Sequence, residues 1–323
     1  MSKVVVRVPA KLIISGEHSV LYKGKAITCA IDRYMLVKVK SIKRKIIKVK
    51  GNGFKVNHKI TDFLNQSSFD NELELEIIRR FFIQANIKPS GVNISIKSKI
   101  PVNCGMGSSA AIISGILFGL NYVFDANISR DKLIEMATSL EDVCHGKSSG
   151  IDVVTVFNGG VLYFNNGKIE KIPHSFDKIW YINTGRADFR TKDVVNMVKN
   201  GNNRGKIDWS EFDRLTSAIK NNIVNNIKID ELLVKNQQIL QNIGVISNKV
   251  DNFVKDILKY DIYAKVCGAG TIAGLDKSGN CGVIAIFQKL SKVQVRILKK
   301  FCSKYSWKLK NAAIVNAGIT ICE

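Results

Sequence analysis

The segment Pro101–Ala111 combines residue types that suit phosphate binding, because it follows a strand-like run and opens an apolar run typical of a helix. Gly105 and Gly107 let the backbone approach a phosphate, and the free N–H groups of a helix start point at it. Ser108 and Ser109 add hydroxyls suited to phosphate oxygens or Mg²⁺. The segment is neither a Walker loop nor a Rossmann fingerprint, since the lysine and the glycine spacing are missing. A glycine turn that only packs a helix onto a strand remains an open alternative.

A second segment, Glu141–Asp152, places carboxylates on both sides of a predicted helix end. Glu141 lies at the edge of an apolar helical stripe, where a carboxylate is costly unless it is paired or bound to a metal. Gly146 is expected to end the helix, and Asp152 follows a tight Ser-Gly turn. Two carboxylates from one helix–turn unit suit two tasks, one binding Mg²⁺ and the other accepting a proton. An ordinary surface helix end has the same pattern, so both interpretations stay open.

The third segment lies near the start of the chain, where Lys11 interrupts an apolar strand. A charge in such a run predicts a side chain that faces a cleft. Glu17 and His18 follow the glycine turn at Gly16 and are suited to binding a polar substrate. An edge-strand lysine and a turn histidine are the equally good structural alternatives.

Hydrophobic periodicity and turn signals predict the strands and helices that must position these residues. The first 60 residues are strand-rich, and a hairpin with an Asn-Gly turn is expected later in the chain. The predicted strands are Val4–Val8, Lys11–Ser15, Ala26–Ile31, Met35–Val49, Gly91–Lys99, Val161–Phe164, Lys168–Ile172 and Lys178–Asn183. Asp70 is expected to cap a helix that carries Leu73, Ile77 and Phe81, and Ser129 to cap a helix that runs through His145.

From Asp208 the pattern becomes helical, with helices expected at about 209–224, 228–242 and 247–259. A strand at Ala264–Val266 leads to a second glycine loop, and a strand–helix–strand unit follows at Gly282–Phe287, Ser291–Tyr305 and Ala312–Val315. This order predicts a ferredoxin-like C-terminal half.

Composition limits the classes of protein that fit. The 323 residues suit two domains sharing a cleft, and the 46% hydrophobic content supports a large core. The 7 cysteines form no CxxC pair, which disfavours zinc ribbons and redox motifs. We find no signal peptide and no apolar run as long as a membrane span, so we expect a cytoplasmic protein without a membrane partner.

The net charge of +22 would fit nucleic acid, a membrane surface or an anionic substrate. Lysine is spread along the whole chain, and the Lys38–Lys50 cluster alternates with Val and Ile, as on the solvated face of strands. No nucleic-acid-binding motif is present. We therefore expect the charge to serve solubility and anion attraction, with no nucleic acid as a partner.

Taken together, the three segments resemble those of the GHMP kinase superfamily, which includes galactokinase, homoserine kinase, mevalonate kinase and phosphomevalonate kinase. Pro101–Ala111 resembles its phosphate loop, P-x-x-x-G-L-G-S-S-A, with Met106 in place of Leu. Gly16–Tyr22 and His145–Asp152 look most like the mevalonate kinase branch. The resemblance covers nearly the whole chain in the right order.

This resemblance implies an α+β fold in two lobes: an N-terminal lobe like ribosomal protein S5 over residues 1–180, and a C-terminal ferredoxin-like lobe over residues 181–323. It also implies transfer of the ATP γ-phosphoryl group to a hydroxyl, most naturally the primary hydroxyl of mevalonate, with ATP and Mg²⁺ required. The oligomeric state stays open, with a homodimer among the possibilities.

The resemblance also implies roles for individual residues. Asp152 matches the catalytic base, and Lys11 matches the lysine beside that base and the transferred phosphoryl group. Ser109 and Glu141 match the Mg²⁺ ligands. Glu17 and His18 match substrate-pocket positions, and Arg190 and Thr191 loosely match a substrate-binding R-x-T segment. The loop around the ATP phosphates corresponds to Asn103, Cys104, Gly105, Met106, Gly107, Ser108 and Ser109.

The third glycine motif departs from the family pattern. Mevalonate kinases usually read G-A-G-G-G-G there, whereas this chain reads GAGTIAG over Gly268–Gly274, with Ile272 in place of a glycine. This leaves open another hydroxyl substrate, such as phosphomevalonate, a sugar or homoserine. A non-catalytic relative should have lost Asp152 or Lys11, and this chain keeps both.

Overall fold

The architecture is taken from a computed structural model, which describes residues 2–51, 53–64, 66, 68–69, 72–146, 148–202 and 207–322. The chain forms a mixed α+β fold, as predicted. Its strands are β1 (Lys3–Ser15), β2 (Ala26–Ser41), β3 (Ile46–Lys50), β4 (Lys55–Lys59), β5 (Val92–Ser98), β6 (Val161–Asn165), β7 (Lys168–Ile172), β8 (Ile179–Gly185), β9 (Lys265–Cys267), β10 (Gly282–Ile286), β11 (Lys308–Ala312) and β12 (Thr320–Ile321).

Helices cover the sheets and carry several of the site residues. They are α1 (Ile60–Leu64), α2 (Leu73–Ala85), α3 (Ser108–Val123), α4 (Arg130–His145), α5 (Ile151–Asn158), α6 (Thr191–Asn202), α7 (Trp209–Val224), α8 (Asp230–Asn242), α9 (Asn248–Leu258) and α10 (Lys292–Lys304). Within the described ranges, no helix is both long enough and apolar enough to cross a membrane.

Strands β1 to β7 and β12 form the first sheet, in the order β12-β1-β2-β5-β3-β4, with β6 joined to β2 and β7 joined to β6. Alternate residues of β1, beginning with Val4, Val6 and Val8, are buried on the side covered by α3, as the period of a strand requires. On β2, Lys38 is exposed between buried valines, which agrees with the predicted solvated face. The buried face of this sheet therefore supports the start of α3.

The second sheet contains β8 to β11 in the order β11-β8-β10-β9, and its neighbouring strands are antiparallel. With α10 between β10 and β11, this is the arrangement of a ferredoxin-like unit. The sequence prediction misplaced the last strand of this sheet, which forms at Lys308–Ala312 rather than at Ala312–Val315. The reason is that residues 313–315 return to the first sheet, where Val315 N donates to Ala30 O over 3.0 Å.

The chain passes from the first sheet to the second between β7 and β8, and returns to the first sheet with β12. Strand β8 begins at Ile179, while β12 pairs with β1 in the first sheet. The division of the chain at residue 180 stays a prediction. We call the first sheet with α1–α5 the first lobe, and the second sheet with α6–α10 the second lobe.

Several local signals behave as predicted. The hydroxyl of Ser129 accepts from Lys132 N at the start of α4, and Gly146 caps its end. The helix with Leu73, Ile77 and Phe81 forms as α2, whereas its predicted cap, Asp70, lies outside the described residues.

Candidate active site

The predicted phosphate-binding loop, residues 103–109, ends in the first turn of α3. Asn103, Gly105 and Gly107 have φ angles of 55°, 78° and 74°, so the loop turns in the left-handed region that favours glycine and asparagine. The carbonyl oxygen of Met106 accepts from Lys11 N over 3.1 Å, which fixes the loop to β1. Because Gly107 is the N-cap, the amides of the first turn of α3 have no acceptor within the helix and point out of its N-terminus, where an anion would bind.

The loop needs glycine for space as well as for conformation. A Cβ at Gly105 would lie 2.5 Å from the carbonyl oxygen of Cys267, and one at Gly107 would lie 2.8 Å from Lys11 Cγ. Cys104 and Met106 are buried, so they present backbone rather than side chains to a ligand. Burial raises the pKa of the Cys104 thiol, which also lies 3.5 Å from Asn183 Oδ1.

Lys11 and Asp152 form an ion pair, with Lys11 Nζ 2.8 Å from Asp152 Oδ1. Lys11 lies on β1 and Asp152 lies in the first turn of α5, whose N-cap is Gly150. The sequence prediction placed Asp152 in a turn after α4 and missed α5. The helix begins one residue earlier, at Ile151, and its run of β-branched residues has the local preference of a strand.

Glu141 is buried on α4 and faces the start of α3. Ser109 Oγ donates to its Oε1 over 2.8 Å, and Ser148 Oγ donates to its Oε2 over 3.4 Å. Burial and the nearby charge of Asp152 raise the pKa of Glu141 to about 7. A buried carboxyl group that resists ionisation beside a second carboxylate is an environment that a cation would stabilise.

The donor set fits Mg²⁺ better than a metal that requires a full protein cage. Within the described ranges, no cluster of three or more His, Cys, Asp or Glu side chains could hold a metal ion. Mg²⁺ commonly keeps several waters and takes one or two carboxylates together with substrate phosphates. The Glu141 carboxylate and the Ser109 hydroxyl are oxygen donors of the kind that Mg²⁺ takes.

Glu17 and His18 lie in the turn after β1, and contacts to the second lobe hold both. Glu17 forms a buried ion pair with Lys265 on β9, and His18 Nε2 lies 3.0 Å from the carbonyl oxygen of Ala269. Sequence reasoning did not select Lys265. The signal was available, because Lys265 interrupts an apolar strand before a glycine loop in the same way as Lys11.

A cleft of about 130 Å³ brings half of the predicted site residues together. It is lined by Lys11, Glu17, His18, Gly105, Glu141, Asp152 and Thr191. Arg190 is not among its lining residues, and its exposed side chain lies 3.4 Å from Asp193 on α6. The geometry thus places Thr191 in the cleft and leaves Arg190 at the surface.

Comparisons with known proteins agree with this architecture. The model of the GHMP kinases N terminal domain matches residues 73–160. The chain is 27% identical over 308 residues to the mevalonate kinase of Methanocaldococcus jannaschii, covering 92% of this chain and 96% of that protein. It is 28% identical over 266 residues to the mevalonate kinase of Archaeoglobus fulgidus, covering 81% and 87%. The crystal structure of the Methanococcus jannaschii mevalonate kinase superimposes with a TM-score of 0.81 at 25% identity, covering 98% of this chain and 99% of that chain.

Proposed function

The chain belongs to the GHMP kinase superfamily, and we propose that it transfers the γ-phosphoryl group of ATP to the primary hydroxyl of mevalonate. The observation that carries the proposal is the ion pair of Lys11 with Asp152 in a cleft that Glu141 also lines, with Ser109 at the start of α3 hydrogen-bonded to Glu141. The choice of mevalonate is supported by relatives of that name that match this chain over most of its length.

In the proposed reaction Asp152 is the general base. Its carboxylate accepts the proton of the primary hydroxyl while that oxygen bonds to the γ-phosphorus and the bond to the β-phosphate oxygen breaks, releasing ADP. The ammonium of Lys11 lies against this carboxylate, so it holds the base in place and offsets negative charge on the phosphoryl oxygens. The amides at the start of α3 bind the phosphates of the nucleotide.

Mg²⁺ would be held by Glu141 and Ser109, the pair already joined by a hydrogen bond. When bound, it supplies positive charge to the phosphates. Glu141 would bind the ion as a carboxylate, and Ser109 would bind it through its hydroxyl oxygen.

The altered third glycine motif does not favour a different substrate. Gly268 and Ala269 line the cleft, whereas Ile272 is not a lining residue and packs, partly buried, against the core. The Ile272 side chain therefore lies outside the cleft in which the substrate would bind. Location in the cytoplasm and assembly as a homodimer remain predictions.

The proposal is tested by measuring ADP release with mevalonate, phosphomevalonate, galactose and homoserine in the presence of ATP and Mg²⁺. We expect mevalonate to give the highest kcat/KM. If another of these hydroxyl substrates is turned over at least tenfold better, the assignment to mevalonate is wrong, although the kinase chemistry would stand.

A further inference from the structure

The face of the first sheet that points away from α3 can be assembled residue by residue from the strand register. Helix α3 packs on the opposite face, where a Cβ at Gly115 would lie 2.6 Å from Val37 Cγ2 and one at Gly119 would lie 2.5 Å from Val39 Cγ2. Because successive side chains of a strand point to opposite faces, the neighbours of the buried residues on β1 to β5 point outward. The fifteen outward positions are Lys3, Val5, Arg7, Leu36, Lys38, Lys40, Ile46, Lys48, Lys50, Lys55, Asn57, Lys59, Asn93, Ser95 and Lys97.

This outward face concentrates positive charge. Nine of its fifteen residues are lysine or arginine and none is acidic, whereas the whole chain has 49 lysines and arginines in 323 residues. The lysines come from strands that are far apart in the chain, so the sequence alone shows them as evenly spread. Folding therefore gathers them on one surface.

Several of these cations lie next to one another without an acidic partner. Lys50 pairs directly with Lys55 across β3 and β4, and like charges at directly opposite positions destabilise a sheet. Among the ion pairs that the described residues form, none involves Lys38, Lys40, Lys48 or Lys50. A bound anion would offset this repulsion, so binding and stability are linked at this face.

The middle of the face forms a groove along β5. Asn93 and Ser95 point outward from β5, and their side chains are shorter than that of lysine. Each of them pairs with one lysine of β2 and one lysine of β3. Neighbouring strands are about 4.8 Å apart, so the two lysine-bearing strands lie about 10 Å apart with the short side chains between them. The lysine groove consists of Asn93 and Ser95 with Lys38 and Lys40 on one side and Lys48 and Lys50 on the other.

The spacing of the lysine groove suits an extended polypeptide. Alternate residues of a strand are about 7 Å apart, so the lysines on each side repeat at the same interval as alternate side chains of an extended peptide. Duplex nucleic acid carries one charge per about 3.4 Å on each strand, which does not match this repeat.

Two other polyanions fit the face less well. Single-stranded nucleic acid is bound by stacking its bases on aromatic side chains, and none of the fifteen outward residues is aromatic. A planar bilayer could contact only part of the face, because neighbouring strands are rotated by about 20–25° and the face spans the five strands β1, β2, β5, β3 and β4.

We propose that the lysine groove binds an extended acidic segment of a partner protein, with aspartate or glutamate carboxylates against the lysines on both sides. None of the groove residues lines the cleft, so this interaction is separate from the proposed kinase reaction and is tested independently of it. Each ion pair at such an exposed surface contributes little, so affinity depends on several pairs together and should fall as the salt concentration rises.

The test measures binding of fluorescein-labelled octaglutamate to the full chain by fluorescence anisotropy at low ionic strength. Replacing the four groove lysines with Gln (K38Q/K40Q/K48Q/K50Q) should raise the Kd at least tenfold, because four ion pairs are lost. The matched control, K299Q/K300Q/K308Q/K310Q, removes the same charge from four exposed lysines of the second lobe and should change the Kd less than about threefold. Both variants should keep kcat for phosphoryl transfer within about twofold of the wild-type value.

A single substitution tests the groove without removing any lysine. Ser95→Asp places a carboxylate between Lys38 and Lys50, the two residues with which Ser95 pairs. This carboxylate should relieve the repulsion and raise Tm, while it competes with the peptide and raises the Kd at least fivefold. Ser95→Asn is the neutral control and should leave the Kd within about twofold. Because Ser95→Asp is expected to stabilise the fold, this test does not depend on the folding of the quadruple variant.

Each outcome decides for or against the proposal. A Kd that rises in the groove variants and not in their controls would support it. Failure of the wild-type protein to bind octaglutamate, or equal changes in the groove and control variants, would overturn it. Tighter binding of a DNA duplex or of phosphatidylglycerol vesicles than of octaglutamate, lost in the same groove variant, would assign the face to nucleic acid or to a membrane surface and overturn the acidic partner.

Discussion

Replacing Asp152 with Asn removes the proposed base while keeping the shape of its side chain. The loss of a general base typically costs about 10²–10⁴ in rate, so kcat should fall by that factor. Lys11 is 3% exposed and Asp152 is 27% exposed, so the substitution leaves the lysine as a buried charge without its partner. We expect some loss of thermal stability, with little change in ATP affinity, because the phosphate contacts come from the amides of α3.

Replacing Lys11 with Met removes the other half of the pair and should lower kcat as well. Residues in direct contact usually show an interaction free energy of about 0.5–3 kcal/mol in a double-mutant cycle. Because Lys11 Nζ and Asp152 Oδ1 are 2.8 Å apart, the double variant should lose about 2- to 150-fold less activity than the product of the two single losses.

The assay is coupled ADP release at saturating mevalonate, with the KM for ATP measured for each variant and folding checked by circular dichroism and Tm. Near-normal kcat in both single variants, with only a modest drop in Tm, would mean that Asp152 has only a structural role in the first turn of α5. Strictly multiplicative losses would show that the two residues act independently, and the mechanism derived from their contact would then be wrong.

The remaining predictions address the metal, the loop and pH. Glu141→Gln should raise the Mg²⁺ requirement at least tenfold or abolish turnover with an unchanged fold, and unchanged activity across a magnesium titration would remove Glu141 from the site. Gly105→Ala should greatly reduce ATP binding, because its Cβ would lie 2.5 Å from Cys267 O. Gly167→Ala has nearly the same φ, +77° against +78°, but meets nothing within 4 Å, so it should lose only about 1–2 kcal/mol of stability and keep its activity. His18 has a pKa lowered by burial to about 4, so the unfolded chain takes up its proton first as the pH falls from 6.5 to 4. The free energy of unfolding should therefore drop by about 3 kcal/mol over that window. The fall in Tm between pH 6.5 and pH 4 should be smaller for His18→Gln than for the wild-type protein, and an equal fall in both would contradict a buried neutral ring.

Local sequence signals predicted the parts of the site that local chemistry determines. A charge in an apolar strand identified Lys11, and the glycine pattern identified the loop whose left-handed φ angles the structure shows at Gly105 and Gly107. Glu141 was located by its place beside an apolar stripe, and it is buried as that place requires. These features can be predicted from the sequence because each depends on residues within a few positions of one another.

Features set by distant contacts could not be predicted in the same way. The partner of Glu17 lies 248 residues away, and nothing near either residue specifies the pairing. Helix α5 forms against the preference of its β-branched residues, because Val153, Val156 and Phe157 are fully buried there and tertiary packing outweighs propensity. The last strand of the second sheet was misplaced because residues 313–315 bond to the first sheet instead.

The return of residues 313–322 to the first sheet sets the order in which the protein can be completed during synthesis. Val6 pairs with Ile321, and Cys322 N donates to Val5 O over 2.8 Å, so the outer side of β1 has no partner until this segment has been translated. The lobe that carries the phosphate loop is thus finished after the lobe that follows it in the chain, and contacts of such sequence separation slow folding. A nascent or truncated chain that ends before residue 313 exposes the edge of β1, where Val4, Val6 and Val8 alternate beside unpaired backbone groups. Such an edge can add a strand from another chain, so we expect these fragments to associate rather than remain monomeric.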